Sequence, residues 1–236
     1  MIKFHRELHM LQLKTIIYKR MKEVLQFLQE LTENNNREWF NDNRKRYEES
    51  RDKIIFLTDV FINEIKKFDP EITGISPKDC VFRIFKDVRF SKDKLPYKTN
   101  FGSFIAKGGR KSIYPGYYFH IEPKQSFVGG GVFMPQAEPL RAIRNYLTEH
   151  TPEFLQIKDD GDFKKIFPEM YDHQLKTAPK GFPKDHEFIS ILKYKSFVFS
   201  SSIDNKIVTG DSLIEHSVEA FNELQKINSF LYKALD

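Results

Sequence analysis

Apolar residues recur along the chain with two different periods, and the first of these is helical. The apolar positions between residues 24 and 31 are spaced as on one face of a helix, and a second series between 39 and 65 has the same spacing. Three asparagines separate the two series. Asn35, followed three residues later by Glu38, resembles a capping box and predicts the start of the second helix.

The middle of the chain changes to the period of two that is typical of half-buried strands. Phe82, Ile84, Val88 and Phe90 alternate with charged residues. Further strand-like runs cover residues 101–106, 112–122 and 126–134. The first two of these runs are joined through Gly108-Gly109, which suits a turn with positive φ. Because short connections require antiparallel neighbours, we predict an antiparallel sheet of at least four strands at about residues 81–134.

The last third of the chain returns to helical spacing. A helix is predicted after Pro135, and a long final helix is predicted with Asp211 as a fair N-cap. Residues 196–201 are consistent with one further strand. The fold class predicted is therefore α+β, with N- and C-terminal helices packed on the sheet. We expect a single domain over residues 21–236, preceded by an extension over residues 1–20.

The N-terminal extension is basic and amphipathic, but charges such as Lys14 interrupt its apolar residues. It therefore does not have the pattern of a signal peptide, and no run in the chain approaches the roughly 20 apolar residues of a membrane span. A single cysteine, Cys80, excludes an intramolecular disulfide and fits a reducing compartment. These observations predict a cytoplasmic protein, and the oligomeric state is not predicted.

Positive charge is concentrated in residues 83–111. This basic segment holds nine Lys and Arg against two Asp, a balance of +7, whereas the whole chain totals +5, so the other 207 residues sum to −2. A local positive field attracts phosphate, carboxylate or a nucleic acid backbone. The segment is therefore the strongest functional lead in the sequence.

Within the basic segment, Arg83, Asp87 and Arg89 would share one face of an extended strand. A carboxylate between two guanidinium groups can orient them, so we assign Asp87 an orienting role. The alternative is a solvated charged face with an ion pair of little energetic value. We expect the anion-binding cations to converge with His120 on one site for a phosphate or carboxylate: Arg83, Arg89, Lys94 and Lys98.

Tyr118, His120 and Glu122 lie two residues apart, so all three would project from the same face of a strand. An imidazole beside a carboxylate can act as a general base, and His120 and Glu122 are the candidate catalytic pair. The alternative is a strand histidine hydrogen-bonded to its neighbours. Two ligands do not form a metal site, so no metal is predicted and no cofactor is indicated. The glycines at 129–131 match no phosphate-loop pattern and indicate close packing.

Several motifs resemble a bacterial family of conserved hypothetical proteins, the domain of unknown function 2461. They are NNREWF (35–40), FRIFKDVRFSKDKLPYKTNFG (82–102), GYYFHIEP (116–123), FVGGGVFMP (127–135), PKGF (179–182), Asp185-His186 and LKYKSF (192–197). The resemblance covers about residue 21 to the C-terminus and leaves out residues 1–20. It implies a single domain and singles out the basic segment, and it implies no particular reaction, cofactor or partner.

Three classes of function follow from these features. The first is binding of a small anionic ligand in a basic pocket, with enzymatic activity left open. The second is nucleic-acid binding by a basic, aromatic sheet face. The third is an interaction module whose basic face meets an acidic protein. A deep pocket that contains His120 would favour the first, a broad flat positive face the second, and a flat apolar patch the third.

Overall fold

The computed structural model describes residues 20–87, 89 and 93–236. All of the predicted extension except Arg20 lies outside these residues, so its independence from the domain stays a prediction. In the described part, four antiparallel strands form one sheet and helices pack against it, which confirms the predicted α+β class.

The N-terminal part is helical where the apolar spacing predicts helices. Residues 20–33 belong to helix α1, and they are followed by α2 (Arg37–Asp42), α3 (Arg44–Ile65) and the short α4 (Pro77–Cys80). Helix α3 buries Ile54, Leu57, Phe61 and Ile65 along one stripe, three or four residues apart.

The N-cap of α2 is Asn36, so the assignment of that role to Asn35 was wrong by one residue. Asn36 has an extended backbone, and its Oδ1 accepts the Trp39 backbone N–H at 2.9 Å. The side chain of Asn35 bonds instead to the backbone of Tyr97, donating to the carbonyl at 3.0 Å and accepting from the N–H at 3.1 Å. Asn35 therefore attaches the segment around Tyr97 to the α1–α2 connection.

The sheet has the order β1-β2-β3-β4, with every neighbouring pair antiparallel. Its strands are β1 (Phe101–Ala106), β2 (Gly116–Ile121), β3 (Phe127–Val132) and β4 (Phe197–Ser202). The first three lie within the predicted range, and the fourth comes from the further strand predicted near the C-terminus. Near one end of the strands, His120 of β2 lies opposite Gly102 of β1 and Phe127 of β3.

One face of the sheet, here called the covered face, packs against helices. Phe119 meets Phe61 of α3 with ring centroids 5.1 Å apart, and Tyr117 meets Phe221 of the last helix at 5.5 Å. The C-terminal helices are α5 (Ala137–Lys158), α6 (Gly161–Ile166), α7 (Ile189–Leu192), α8 (Asn205–Val208) and α9 (Leu213–Lys233). No helix in the described residues is long and apolar enough to cross a membrane.

Among the described residues, the basic stretch after Val81 shows isolated bridges and no continuous strand. Val81 bridges Ser103 of β1, and Phe85 bridges Tyr97, so the chain turns back on itself after residue 85. The alternation still holds locally, because Ile84 is buried while Arg83 and Phe85 are exposed. Residues 88 and 90–92, which include Val88 and Phe90 of the predicted strand, lie outside the described residues.

Candidate functional site

The opposite, open face of the sheet is the base of a groove of about 810 Å³. Most strand residues in this base alternate along their strands with the buried residues of the covered face. They are Phe104, Tyr118, His120, Phe127, Gly129, Gly131, Val198 and Ser200. Lys98 and Asn100 border it near His120, whereas the loops after β1 and β3 border it at the opposite strand ends. Strands of this length span about 17–20 Å, which sets the length of the groove.

His120 is largely enclosed, with 14% of its side chain exposed. Its Nε2 lies 3.0 Å from Glu122 Oε2, and the Thr99 hydroxyl donates to the other carboxylate oxygen at 2.5 Å. The ring stacks on Phe127 at a centroid distance of 4.6 Å. Burial lowers the pKa of His120, and Lys98 adds to this effect, although the hydrogen bond to Glu122 acts in the opposite direction.

The hydrogen bonds of His120 can be given a direction. A lowered pKa leaves the imidazole neutral at pH 7, and a carboxylate only accepts, so Nε2 carries the proton and donates to Glu122. Nδ1 is then the acceptor. Burial raises the pKa of Tyr118 to about 12, so its hydroxyl keeps its proton and donates to Nδ1 at 3.0 Å. The Asn100 amide lies 3.3 Å from the same nitrogen.

Gly102 makes room for this arrangement. The Tyr118 side chain crosses over β1, and a Cβ placed on Gly102 would meet the Tyr118 hydroxyl and lie 3.0 Å from the ring carbon that carries it. Because Gly102 lies opposite His120, the missing side chain lets the hydroxyl reach Nδ1. A glycine in a strand often marks such a close approach.

Lys98 enters the groove because its neighbour is fixed in the core. The Tyr97 ring stacks on Phe40 at 3.9 Å, and the next side chain of the extended chain points to the opposite side. The Lys98 ammonium lies 5.7 Å from the centre of the Phe82 ring. Burial, followed by the charge of Arg83, lowers the pKa of Lys98, and no carboxylate of the described residues pairs with it.

The charges that line the groove have one sign. Three cationic side chains, Lys98, Arg110 and Lys111, border it, and no Asp or Glu is among its lining in the described part of the chain. Arg110 donates to the Asp79 carbonyl oxygen at 2.7 Å, and Lys111 is exposed. Glu122 is held behind His120, so the groove presents positive charge and a neutral imidazole.

The groove brings together two of the residues predicted to form the anion site, Lys98 and His120. Arg83, Arg89 and Lys94 do not line it, and all three are exposed. Asp87 orients Arg89 through two hydrogen bonds, at 2.9 Å to Nε and 2.6 Å to Nη2, on the exposed surface. Two pKa values are lowered in part by the charge of Arg83: that of Lys98, after burial, and that of Asp87, after the hydrogen bonds from Arg89.

The three glycines at 129–131 lie in β3 and pack closely. A side chain on Gly129 would meet the Phe199 carbonyl oxygen, and one on Gly131 would meet that of Phe197. A side chain on Gly130 would meet the Gly116 carbonyl oxygen and would lie 3.2 Å from Leu224 of α9. These contacts agree with the interpretation of the three glycines as a site of close packing. Because Gly129 and Gly131 have no side chains, that part of the groove base is bare backbone.

Several groove residues were not among the sequence candidates. The period of two places Tyr118 on the face of His120, although no role was assigned to it. Asn100 lies two residues from Lys98 in extended chain, so the same period could have identified it. Arg110 lies within the basic segment but in a loop, whose course the sequence does not reveal. In the described residues, no group of three His, Cys, Asp or Glu side chains could hold a metal ion.

Residues 23–230 match the model of a family of conserved hypothetical proteins, DUF2461, and the chain therefore belongs to that family. The match agrees with the resemblance of the motifs and begins after the predicted extension. Comparisons with curated proteins and with solved structures gave no match.

Proposed function

We propose that this DUF2461 protein binds a small organic anion in the groove on the open face of its sheet. The observation that supports this most directly is the lining of the groove, which has three cations and, within the described residues, no carboxylate. A half-buried ammonium without an ion-pair partner is costly, and an anionic ligand would reduce that cost. Lys98 is such a group.

In this proposal Lys98 contacts the anionic group, and Arg83 strengthens the positive potential around it. Arg89 and Lys94 would attract the ligand from the exposed surface, with Asp87 orienting Arg89. A field of this kind increases the rate at which an anion arrives and falls with ionic strength.

His120 and Glu122 would act on the ligand through Tyr118. Both imidazole nitrogens already have hydrogen-bond partners, whereas Tyr118 lines the groove and its hydroxyl oxygen keeps a lone pair. A ligand hydroxyl or amine can donate to that oxygen while Tyr118 donates to His120 and His120 donates to Glu122. The same chain can accept a proton from a bound ligand.

The concave form of the open face favours a pocket over the alternative of a flat nucleic-acid platform. Titration with a single-stranded oligonucleotide over a range of salt concentrations separates the two. We expect weak binding that Lys98→Gln hardly changes. Tight binding with a steep salt slope, reduced by Lys98→Gln, would support the platform and contradict the proposed pocket.

The proposal is tested with hexanoate and its neutral isostere hexanamide, with affinities measured by calorimetric titration. We expect hexanoate to bind at least tenfold more tightly, because a charge-assisted hydrogen bond contributes about 1.5–3 kcal/mol. Lys98→Gln should remove this preference, and the matched control Lys45→Gln, on the exposed surface of α3, should keep it. Hexyl phosphate, titrated in parallel, shows whether carboxylate or phosphate is preferred.

Three results would overturn the proposal. One is equal affinity for the acid anion and the amide in the unmodified protein. The second is an anion preference that survives Lys98→Gln. The third is the absence of binding by hexanoate and hexyl phosphate at millimolar concentrations.

A further inference from the structure

Large apolar side chains are exposed beside the groove. Among the described residues, six large hydrophobic side chains are markedly exposed, and four of them line the groove: Ile113, Phe133, Met134 and Tyr171, at 52%, 60%, 60% and 49%. We call these four the apolar rim. Single exposed apolar residues are ordinary, whereas a cluster at the edge of a concavity marks a contact surface.

The backbone holds part of the apolar rim in place. Met134 has a φ of +45°, a conformation that side-chain-bearing residues rarely adopt, and its N–H donates to the Ser196 hydroxyl at 3.0 Å. The Tyr171 N–H donates to the Val198 carbonyl of β4 at 2.9 Å, and its ring lies 6.0 Å from that of Phe133. These hydrogen bonds fix the backbone at Met134 and Tyr171, and with it the position of Phe133, Met134 and Tyr171 beside the groove.

The rim and the polar residues lie at opposite ends of the strands. Phe133 and Met134 follow the end of β3, six and seven residues from Phe127, which lies opposite His120. The distance along the strand from His120 to the rim is therefore about 20–23 Å. Between the two ends, the base is mostly glycines, aromatic rings and Val198, and Ser200 is its polar side chain among the described strand residues there.

We propose that the ligand is an amphipathic anion, with its charged group at Lys98 beside His120 and an extended apolar body that reaches the apolar rim. The inference rests on the proposed function and specifies its ligand class: an alkyl or aryl carboxylate or phosphate monoester. Inorganic anions and sugar phosphates would leave the rim in water and the aromatic base without apolar contact. Arg110 and Lys111 fit this class, because their aliphatic stems can cover an apolar chain at the groove mouth.

The test is a series of linear carboxylates, from acetate to hexadecanoate, titrated into the full chain at concentrations below those at which they form micelles. Affinity should rise roughly threefold to fourfold for each added methylene, the factor for transferring a buried CH₂ out of water. Phe133→Ser and Tyr171→Ser should flatten this rise for the longer members and leave acetate unchanged. Leu95→Ser is the matched control, because Leu95 is also exposed (45%) but does not line the groove.

A phenylacetate arm shows whether an aromatic body is accepted in place of an alkyl chain. If affinity is independent of chain length while Lys98→Gln still weakens every member, the amphipathic class is overturned and the anion site stands. If affinity rises with chain length but Lys98→Gln changes nothing, the anion site is overturned. If Phe133→Ser and Tyr171→Ser both keep the full increase of affinity with chain length, the assignment of the rim as the apolar subsite is contradicted.

Discussion

The two faces of the sheet are made from the same strands and have different chemistry. On β2, Tyr117, Phe119 and Ile121 point to the covered face and are at most 1% exposed. The residues between them, Tyr118 and His120, point to the open face and join a chain of hydrogen bonds. A six-residue strand therefore supplies packing on one side and polar chemistry on the other.

The polar groups on the two faces differ in how far they are enclosed, and two tyrosines of β2 show the difference. On the covered face the Tyr117 hydroxyl donates to buried Asp69 at 2.6 Å, inside a closed core. On the open face the Tyr118 hydroxyl bonds to His120 and still borders the groove, and Lys98 has no carboxylate partner among the described residues. The Tyr117 hydroxyl is therefore enclosed by the helices, whereas Tyr118 and Lys98 lie beside the groove.

The largest expected effect is a difference in stability between a variant on the covered face and a variant on the open face. Phe119→Ala removes a ring packed against Phe61 and should lower the free energy of unfolding by about 3–5 kcal/mol. Tyr118→Phe, one residue earlier, loses only the hydroxyl and should cost about 0.5–1.5 kcal/mol. Urea unfolding of the two variants measures the difference, and similar losses for both would show that the open face belongs to the core.

A smaller effect distinguishes glycines on the two faces. Gly130→Ala would place a Cβ against the Gly116 carbonyl and should cost about 1–3 kcal/mol, because backbone of the sheet must shift. Gly102→Ala meets the end of the Tyr118 side chain, which can rotate away, so we expect less than about 1 kcal/mol. Thermal melts compare the two variants.

Gly102→Ala, the variant on the open face, should change the hydrogen bonding of His120 more than it changes stability. With Tyr118 displaced, the His120 Nδ1 loses its 3.0 Å donor, and the imidazole signals of His120 should shift in NMR spectra of Gly102→Ala. An unchanged His120 spectrum would mean that Gly102 does not position the hydroxyl.

The fold could be predicted well where apolar period and local turns determine it. The helices α3 and α9 and the strands β1 to β3 follow from spacing alone. The described residues 82–87 begin with the same alternation without forming a strand, because Phe85 pairs with Tyr97 and the chain turns back. The period of apolar residues indicates which side chains are buried. It does not indicate which other segment of backbone is in position to pair with the strand.

The candidate site could be predicted in part for the same reason. Alternation places His120 and Glu122 on one face, and charge concentration leads to Lys98. The pairing of Arg89 with Asp87 was predicted, but the sequence does not show that Arg89 lies outside the groove or that Arg110 reaches the groove from a loop. Those positions depend on the path of irregular chain, for which neither period nor composition carries a signal.

The smallest expected effect is the pH response of His120, in which two influences compete. Burial and Lys98 lower its pKa, the hydrogen bond to Glu122 raises it, and the balance is downward. The folded state should therefore titrate below the ordinary value of about 6.5. The unfolded chain binds more protons in that interval, so this contribution to stability is complete above about pH 6.5 and is lost as the pH falls through the folded pKa.

NMR titration of the His120 ring, assigned by its absence in His120→Gln, measures the pKa directly. Lys98→Gln should raise the pKa by removing a nearby positive charge, and Glu122→Gln should lower it further by removing the carboxylate. His120→Gln should also make the unfolding free energy less dependent on pH between about 5 and 7 than in the unmodified chain. A His120 pKa above about 6.5 would show that Glu122 outweighs burial, and at a pH below that pKa the ring would be an imidazolium that donates from both nitrogens. That outcome would reverse the hydrogen bond from Tyr118 and remove the route by which a ligand proton reaches His120.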